Sequence, residues 1–173
     1  MSVSLLALPI FVLGMVIGSF LNVVALRTVS GKKFYHGRSE CMHCQSTINW
    51  IDNIPIFSFL ILKGKCRSCN QSISLQYPLV EFFTGVVFIF FFTQYMDLQH
   101  LVIFLILSAM LILISIIDIL EKSIYQSHLY ILLALTIVFR IFLEPIGSLV
   151  DLFYGPLTFG GFLAVLRWIG GKI

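Results

Sequence analysis

Two short cysteine pairs and one carboxylate are the residues of this chain best suited to chemistry. The pairs are Cys-Met-His-Cys (Cys41 and Cys44) and Cys-Arg-Ser-Cys (Cys66 and Cys69), and they hold all four cysteines of the sequence. Two C-x-x-C pairs separated by 21 residues match a four-thiolate zinc site in which each pair occupies a tight knuckle. The flanking residues repeat as well. CMHCQSTI and CRSCNQSI align at an offset of 25 residues, as expected of two knuckles folded round one metal. Thiol–disulfide exchange is the competing chemistry for such pairs, and it belongs to an oxidising compartment. His43 lies inside the first knuckle, but four sulfurs already complete a tetrahedral site, so it reads as a bystander.

The carboxylate is Asp118. It ends a run of seventeen uncharged residues, Leu101–Ile117. An Asp at the centre of a bilayer costs roughly 2.5–3.5 kcal/mol on insertion scales and less towards the interface. An ionisable group here is therefore either functional or the first residue of a chain leaving the membrane, and Glu121 and Lys122 follow closely.

The elements that must position these groups are membrane spans. The 173 residues are 59% hydrophobic and only 11% charged, against about 25% charge in an ordinary soluble domain. The mean hydropathy is +1.02. A span needs about 20 apolar residues, and five segments qualify in whole or part: Met1–Leu26, Leu79–Met96, Leu101–Ile117, Ile124–Leu143 and Leu149–Ile169. The first has no basic residue ahead of it and is longer than a signal-peptide core, so it reads as a retained helix.

Seven of the eleven Lys and Arg lie between Arg27 and Gln76, opposed there only by Glu40 and Asp52. The positive-inside rule makes this stretch cytoplasmic and the N-terminus external. Later turns then alternate, with Asp118–Ser123 inside; Arg140 fits poorly and would snorkel to the interface. A reducing cytosol favours thiolates on zinc over redox exchange. A loop of about 50 residues builds little core, so the metal's role would be structural. The basic excess suits anionic lipid headgroups; without interleaved aromatic residues it does not read as a nucleic-acid surface.

Other features are weaker. Gly14 and Gly18 form a G-x-x-x-G, a close-packing face in membrane helices. Asn22 is polar at a membrane boundary and is expected to bond a neighbouring helix. Glu81 reads first as an interfacial anchor or cap, and otherwise as a partner for the cysteine domain or substrate. Asp52–Asn53 before Ile54–Pro55 reads as a turn, and Phe82–Phe92 as a surface facing lipid or other helices.

Taken in order, GSFLNVVALR (Gly18–Arg27), the paired knuckles, INWIDNIPIFSFLILKGKC (Ile48–Cys66) and SISLQYPLVEFFTG (Ser72–Gly85) resemble the bacterial type IV prepilin peptidases. The resemblance implies a multi-pass aspartic endopeptidase of the inner membrane that cuts the basic leaders of prepilins and pseudopilins at the cytoplasmic face. It also implies, for many members, methylation of the new N-terminus with S-adenosylmethionine. No glycine-rich loop for that cofactor is recognisable, so methyl transfer rests on the resemblance alone.

The family uses two membrane aspartates, and Asp118 occupies the place of the first. The second belongs to a Gly-x-Gly-Asp motif that these 173 residues do not contain. The closing GGFLAVLRWIGGKI resembles the family's segment just before it, so the expectation is a chain truncated ahead of the motif. The sequence also departs from the family at Tyr125, Leu120 and Gln126 after Asp118, and at Gln76 where arginine is usual. Glu121 lies one helical turn from Asp118 and would face it only if the helix continued.

The expected architecture is an all-α polytopic membrane protein of about five transmembrane helices with a small cytoplasmic zinc-ribbon-like insert. Its parts are a first helix (1–26), a tetracysteine zinc-knuckle domain (27–76) and a transmembrane peptidase core (77–173) that is incomplete at its C-terminus. A non-catalytic membrane zinc module that binds prepilins or secretion components is the alternative.

Overall fold

The computed structural model describes residues 3–31, 33, 37–95, 97–121, 130 and 134. Four helices are described: α1 (Val3–Val29), the short α2 (Phe57–Ile61), α3 (Gln76–Gln94) and α4 (Leu98–Glu121), with a 3-10 turn at Trp50–Asn53. Among the described residues there is no strand, only two isolated antiparallel bridges in the insert between α1 and α3.

Three of the helices are long and apolar enough to cross a bilayer: Leu6–Val29, Gln76–Gln94 and Leu98–Glu121, with mean hydropathies of 2.2, 1.4 and 2.9. At about 1.5 Å per residue they reach roughly 28–36 Å, which suits a hydrocarbon core near 30 Å. The protein is an all-α membrane protein. The expected fourth and fifth spans, Ile124–Leu143 and Leu149–Ile169, lie outside the described residues apart from Tyr130 and Ala134.

The helices run further than the apolar pattern alone indicates. α1 continues past Leu26 to Val29. α3 begins at Gln76 because Pro78 falls in its first turn, where a missing N–H breaks no helical bond. Asp97 caps α4: its Oδ2 accepts the His100 N–H at 3.1 Å, the usual task of an N-cap side chain. At the far end the expected turn at Asp118 is corrected. Asp118 to Glu121 remain helical, and Leu120 packs against the core, so the apolar stripe of α4 carries past the carboxylate.

The α1–α3 seam is built from small residues. A Cβ on Gly14 would stand 2.7 Å from the Gly85 Cα, and one on Gly18 would stand 2.8 Å from Thr84 Oγ1 and 2.9 Å from the Glu81 Cα. A Cβ on Gly85 would meet the Phe11 ring at 2.6 Å. The G-x-x-x-G is thus a true close-packing face. Asn22 extends it: fully buried, its amide donates to Tyr77 O on α3 at 3.4 Å and to Gly18 O at 3.3 Å.

α4 packs on another face of α1. Leu21 and Ala25 form a buried cluster with Leu113, Ile116 and Ile117. At the opposite end Phe91, Tyr95 and Phe104 stack across the α3–α4 connection, with Tyr95 and Phe104 centroids 4.3 Å apart. In the phenylalanine run Phe82, Phe83 and Phe90 face outward and Phe88 is buried.

Replacing Gly18 by Val should force the seam apart and lower stability by about 1–3 kcal/mol, the usual cost of overpacking. Thermal unfolding in detergent, with the outward-facing Val102→Ala as control, reads this directly.

Candidate functional site

The cysteine insert is two copies of one local structure. In the first, the Gln45 N–H bonds Cys41 O at 2.9 Å, the Cys41 N–H bonds Ser46 O at 3.0 Å and the Ile48 N–H bonds Ser39 O at 2.7 Å. In the second, each bond recurs 25 residues later, as Asn70 to Cys66, Cys66 to Gln71 and Ile73 to Gly64. The bridges Glu40–Thr47 and Lys65–Ser72 and the left-handed Gln45 and Asn70 (φ 56° and 58°) follow the same offset. Short-range hydrogen bonds therefore turn each C-x-x-C loop inward, and the sequence repeat is a repeat of knuckles.

The two knuckles bring Cys41, Cys44, Cys66 and Cys69 together, with all four sulfurs within 4.8 Å of one another. The Cys41 and Cys69 sulfurs are 3.8 Å apart, the edge of a tetrahedron built on Zn–S bonds of about 2.3 Å, which is ~3.8 Å. Such crowding cannot hold four thiolates without a cation. Hydrogen bonds from the Ser46 hydroxyl and backbone draw the Cys44 thiol down to about 6. Cys69 accepts a bond from the Gln71 N–H that works the other way, yet desolvation and its sulfur neighbours push it up to about 12. The cluster can hold a metal ion, and its donors suit zinc.

A charge pair ties the halves together. Arg67, inside the second knuckle, donates from Nε and Nη2 to Asp52 at 2.8 and 2.6 Å, and this fork holds the Asp52 carboxyl below the ordinary carboxylate range. The sequence reads Asp52 as part of a turn and as one of two acids opposing the basic stretch; nothing in the local pattern names Arg67 as its partner.

The insert is also fastened to the membrane helices. Glu81, buried in α3, accepts the Ile56 backbone N–H on Oε2 at 2.8 Å and a bond from Ser19 on α1. Ile56 has φ 62° and ψ −50° and sits at the centre of a three-residue turn closed by the Phe57 N–H on Pro55 O at 2.6 Å. A β-branched residue there is strained, and the Glu81 carboxylate supports it. Of the two readings of Glu81, partner for the cysteine domain is the one the geometry gives. Arg27 makes a second tie from the end of α1, donating to Gly37 O and Arg38 O at 3.0 Å each. Between insert and α1 lies a cleft of roughly 420 Å³ lined by Val16, Ser19, Phe20, Val23, Arg27 and residues of the insert.

Asp118 is exposed near the end of α4. Its neighbours Ile116 and Ile117 pack on Leu21 and Ala25, which places it at the same end of the helices as Arg27, Gln76 and the insert. The helix continues to Glu121, so Asp118 and Glu121 have the i, i+3 spacing of residues sharing a face. Asp118 does not line the cleft. Val16, Ser19, Phe20 and Val23 make one stripe of α1; Ile17, Leu21 and Val24, which belong to or pack on the cluster shared with α4, make another about 120° round the helix.

A family model described as the bacterial peptidase A24 N-terminal domain matches residues 12–95. A prepilin leader peptidase/N-methyltransferase of Myxococcus xanthus (strain DK1622) is 40% identical over 114 residues, covering 66% of this chain and 34% of the relative. A type 4 prepilin-like proteins leader peptide-processing enzyme of Escherichia coli O78:H11 (strain H10407) is 35% identical over 180 residues, covering 92% and 66%. A prepilin leader peptidase/N-methyltransferase of Dichelobacter nodosus is 29% identical over 199 residues, covering 95% and 69%. The chain thus spans about a third of the first relative's length and two thirds of the second's. No solved structure matches it.

Glu81→Ala should leave the Ile56 N–H without its acceptor and free the turn. Amide hydrogen exchange is expected to speed up about tenfold or more across residues 54–60, in line with the roughly 1–3 kcal/mol cost of leaving a buried donor unsatisfied. Glu81→Gln, which keeps an acceptor oxygen, should lie close to the wild type.

Proposed function

We propose a membrane endopeptidase function for this chain, which belongs to the family of bacterial type IV prepilin peptidases. The reading is an aspartic-type enzyme of the inner membrane that cuts basic leader peptides from prepilins and pseudopilins at the cytoplasmic face. Asp118 is one catalytic carboxylate. The observation that carries this is its place: an exposed acid near the end of a membrane helix, at the same end as the basic cysteine insert.

Peptide hydrolysis needs one carboxylate to take a proton from the attacking water and a protonated partner to polarise the scissile carbonyl. Two acids held close share a single proton because both cannot ionise cheaply side by side. Asp118 would be one of these, and in family members a Gly-x-Gly-Asp supplies the other. Glu121 is the one acid among the described residues with the spacing to face Asp118. With the insert in the cytosol and the N-terminus outside, the basic excess of residues 27–76 faces the side from which a leader would be presented.

Cys41, Cys44, Cys66 and Cys69 would hold a structural Zn²⁺. The convergence of the four sulfurs supports this, and four sulfurs leave no open position for catalysis. The domain division proposed is a first helix (1–26), the zinc-knuckle domain (27–76) and the membrane peptidase core (77–173). N-methylation of the cleaved product would require S-adenosylmethionine; the described residues mark no site for it, and no step is assigned to it.

A second reading is favoured by one observation: the four-cysteine cluster is complete in a chain whose residues include no Gly-x-Gly-Asp. On that reading the chain is a non-catalytic membrane zinc module that binds prepilins or secretion components.

One assay separates the two. The chain in proteoliposomes with a prepilin substrate should release the leader, and Asp118→Asn should reduce the rate at least about a hundredfold, as expected for loss of a group that acts in the transition state. Cleavage that survives Asp118→Asn would remove Asp118 from the site. No cleavage by the wild type would support the binding module. Metal analysis should find one zinc per chain, and Cys66→Ser should lose it, with the insert then open to proteolysis.

A further inference from the structure

The segment Trp50–Ile61 presents an unusual surface for a loop between membrane helices. Six of its twelve residues are bulky, apolar and exposed: Trp50, Ile51, Ile54, Phe57, Leu60 and Ile61, with Trp50 and Ile61 at 71% and 72%. A contiguous exposed apolar patch of this kind marks an interaction site.

Its position says which. The Ile56 N–H reaches the carboxylate of Glu81, five residues inside the span Gln76–Gln94. That is about 8 Å along the helix, less the lean of the side chain towards the helix N-terminus. Asn53 and Pro55 line the cleft beside Val16, Ser19 and Phe20, all within the span Leu6–Val29. The segment therefore turns back along the flank of α1 and α3, beside the first turns of the span Gln76–Gln94.

Many of the segment's backbone N–H groups are already bonded within the protein, as that location favours. The N–H groups of Asp52, Ile54, Phe57, Ser58 and Leu60 bond carbonyls within residues 49–56. The Ser58 hydroxyl donates to Ile54 O at 2.7 Å. The one acid, Asp52, is matched by the Arg67 fork. Directly after the apolar residues come Lys63 and Lys65, both exposed, whose stems can lie along the interface while their ammonium groups meet lipid phosphates.

We propose that Trp50–Ile61 is an interfacial wedge seated in the lipid leaflet around the first turns of α3, with Lys63 and Lys65 at anionic headgroups. It lies in the interface, roughly 5–10 Å into the headgroup–acyl boundary, as amphipathic surface helices do. The proposal stands independently of the peptidase reading, because it rests on exposure, depth and charge alone.

The chain has two tryptophans, Trp50 and Trp168, so Trp168→Phe makes Trp50 the sole reporter. The variant is reconstituted into phosphatidylcholine–phosphatidylglycerol vesicles whose acyl chains carry bromine either near the ester or near the terminal methyl. The wedge predicts that bromine near the ester quenches Trp50 at least about twofold more than bromine near the methyl or than aqueous iodide. Dominant quenching by iodide would overturn it, since the patch would face water. Insensitivity to both quenchers would also overturn it, since protein would then cover the patch, from residues 122–173 or from a second copy. If Trp168→Phe does not fold, the difference between wild-type and Trp50→Phe protein reports the same residue.

Discussion

The structure depends on how closely α1 and α3 approach. In a bilayer two apolar helices gain nothing by hiding from lipid, so their association rests on van der Waals fit and on polar bonds between them. Gly14, Gly18 and Gly85 supply the fit, since a Cβ at any of them would fall within 3 Å of the opposite helix. Asn22 supplies the bond, giving its amide to a backbone carbonyl of α3. This seam fixes the height of α3 against α1, and with it the height of Glu81 beside Gly18 and Ser19. The fastening point of the insert is thus set by packing deep in the membrane rather than by the insert's own folding.

The insert needs such outside support. It has no strand among the described residues and places four non-glycine residues at positive φ: Gln45, Ile56, Lys63 and Asn70. Conformations of that kind cost of order 1–3 kcal/mol each at their most strained and persist only where surrounding bonds over-determine them. Gln45 and Asn70 are held by knuckle hydrogen bonds and by the convergence of four sulfurs. Ile56 is held by Glu81. A small basic loop is therefore pinned at two points, a metal-binding cluster at one end and a buried carboxylate at the other, with the Asp52–Arg67 pair joining them.

How much of this the sequence discloses depends on whether a feature is local. The three described spans, the cysteine cluster and the close-packing glycines follow from periodicity, spacing and a 25-residue repeat, all patterns that survive without tertiary context. The repeat even carries the left-handed turns at Gln45 and Asn70. Helix ends were less legible: Asp118 reads as a residue leaving the membrane, because the continuing stripe through Leu120 has meaning only once α1 is there to pack against. The Glu81–Ile56 bond and the Arg67–Asp52 fork join residues 25 and 15 positions apart through a fold that no local signal encodes. The position of Asp118 at the same end as the insert follows from alternation of the spans and is borne out by the contacts of Ile116 and Ile117.

The cleft under the insert uses Val16, Ser19, Phe20 and Val23, while α4 and the helix turn that carries Asp118 rest against Ile17, Leu21 and Val24. These stripes lie about 120° apart round one helix, and Asp118 does not line the cleft, so it shares an end of the molecule with the insert without sharing that cavity. A metal held by four sulfurs has no free coordination position. Hydrolysis at Asp118 would then have to be acid–base chemistry between carboxylates, with the metal acting only through the shape it gives the insert. Loss of metal and loss of Asp118 should accordingly differ in kind: the first loosens the insert, and the second removes an exposed carboxylate from an otherwise intact fold.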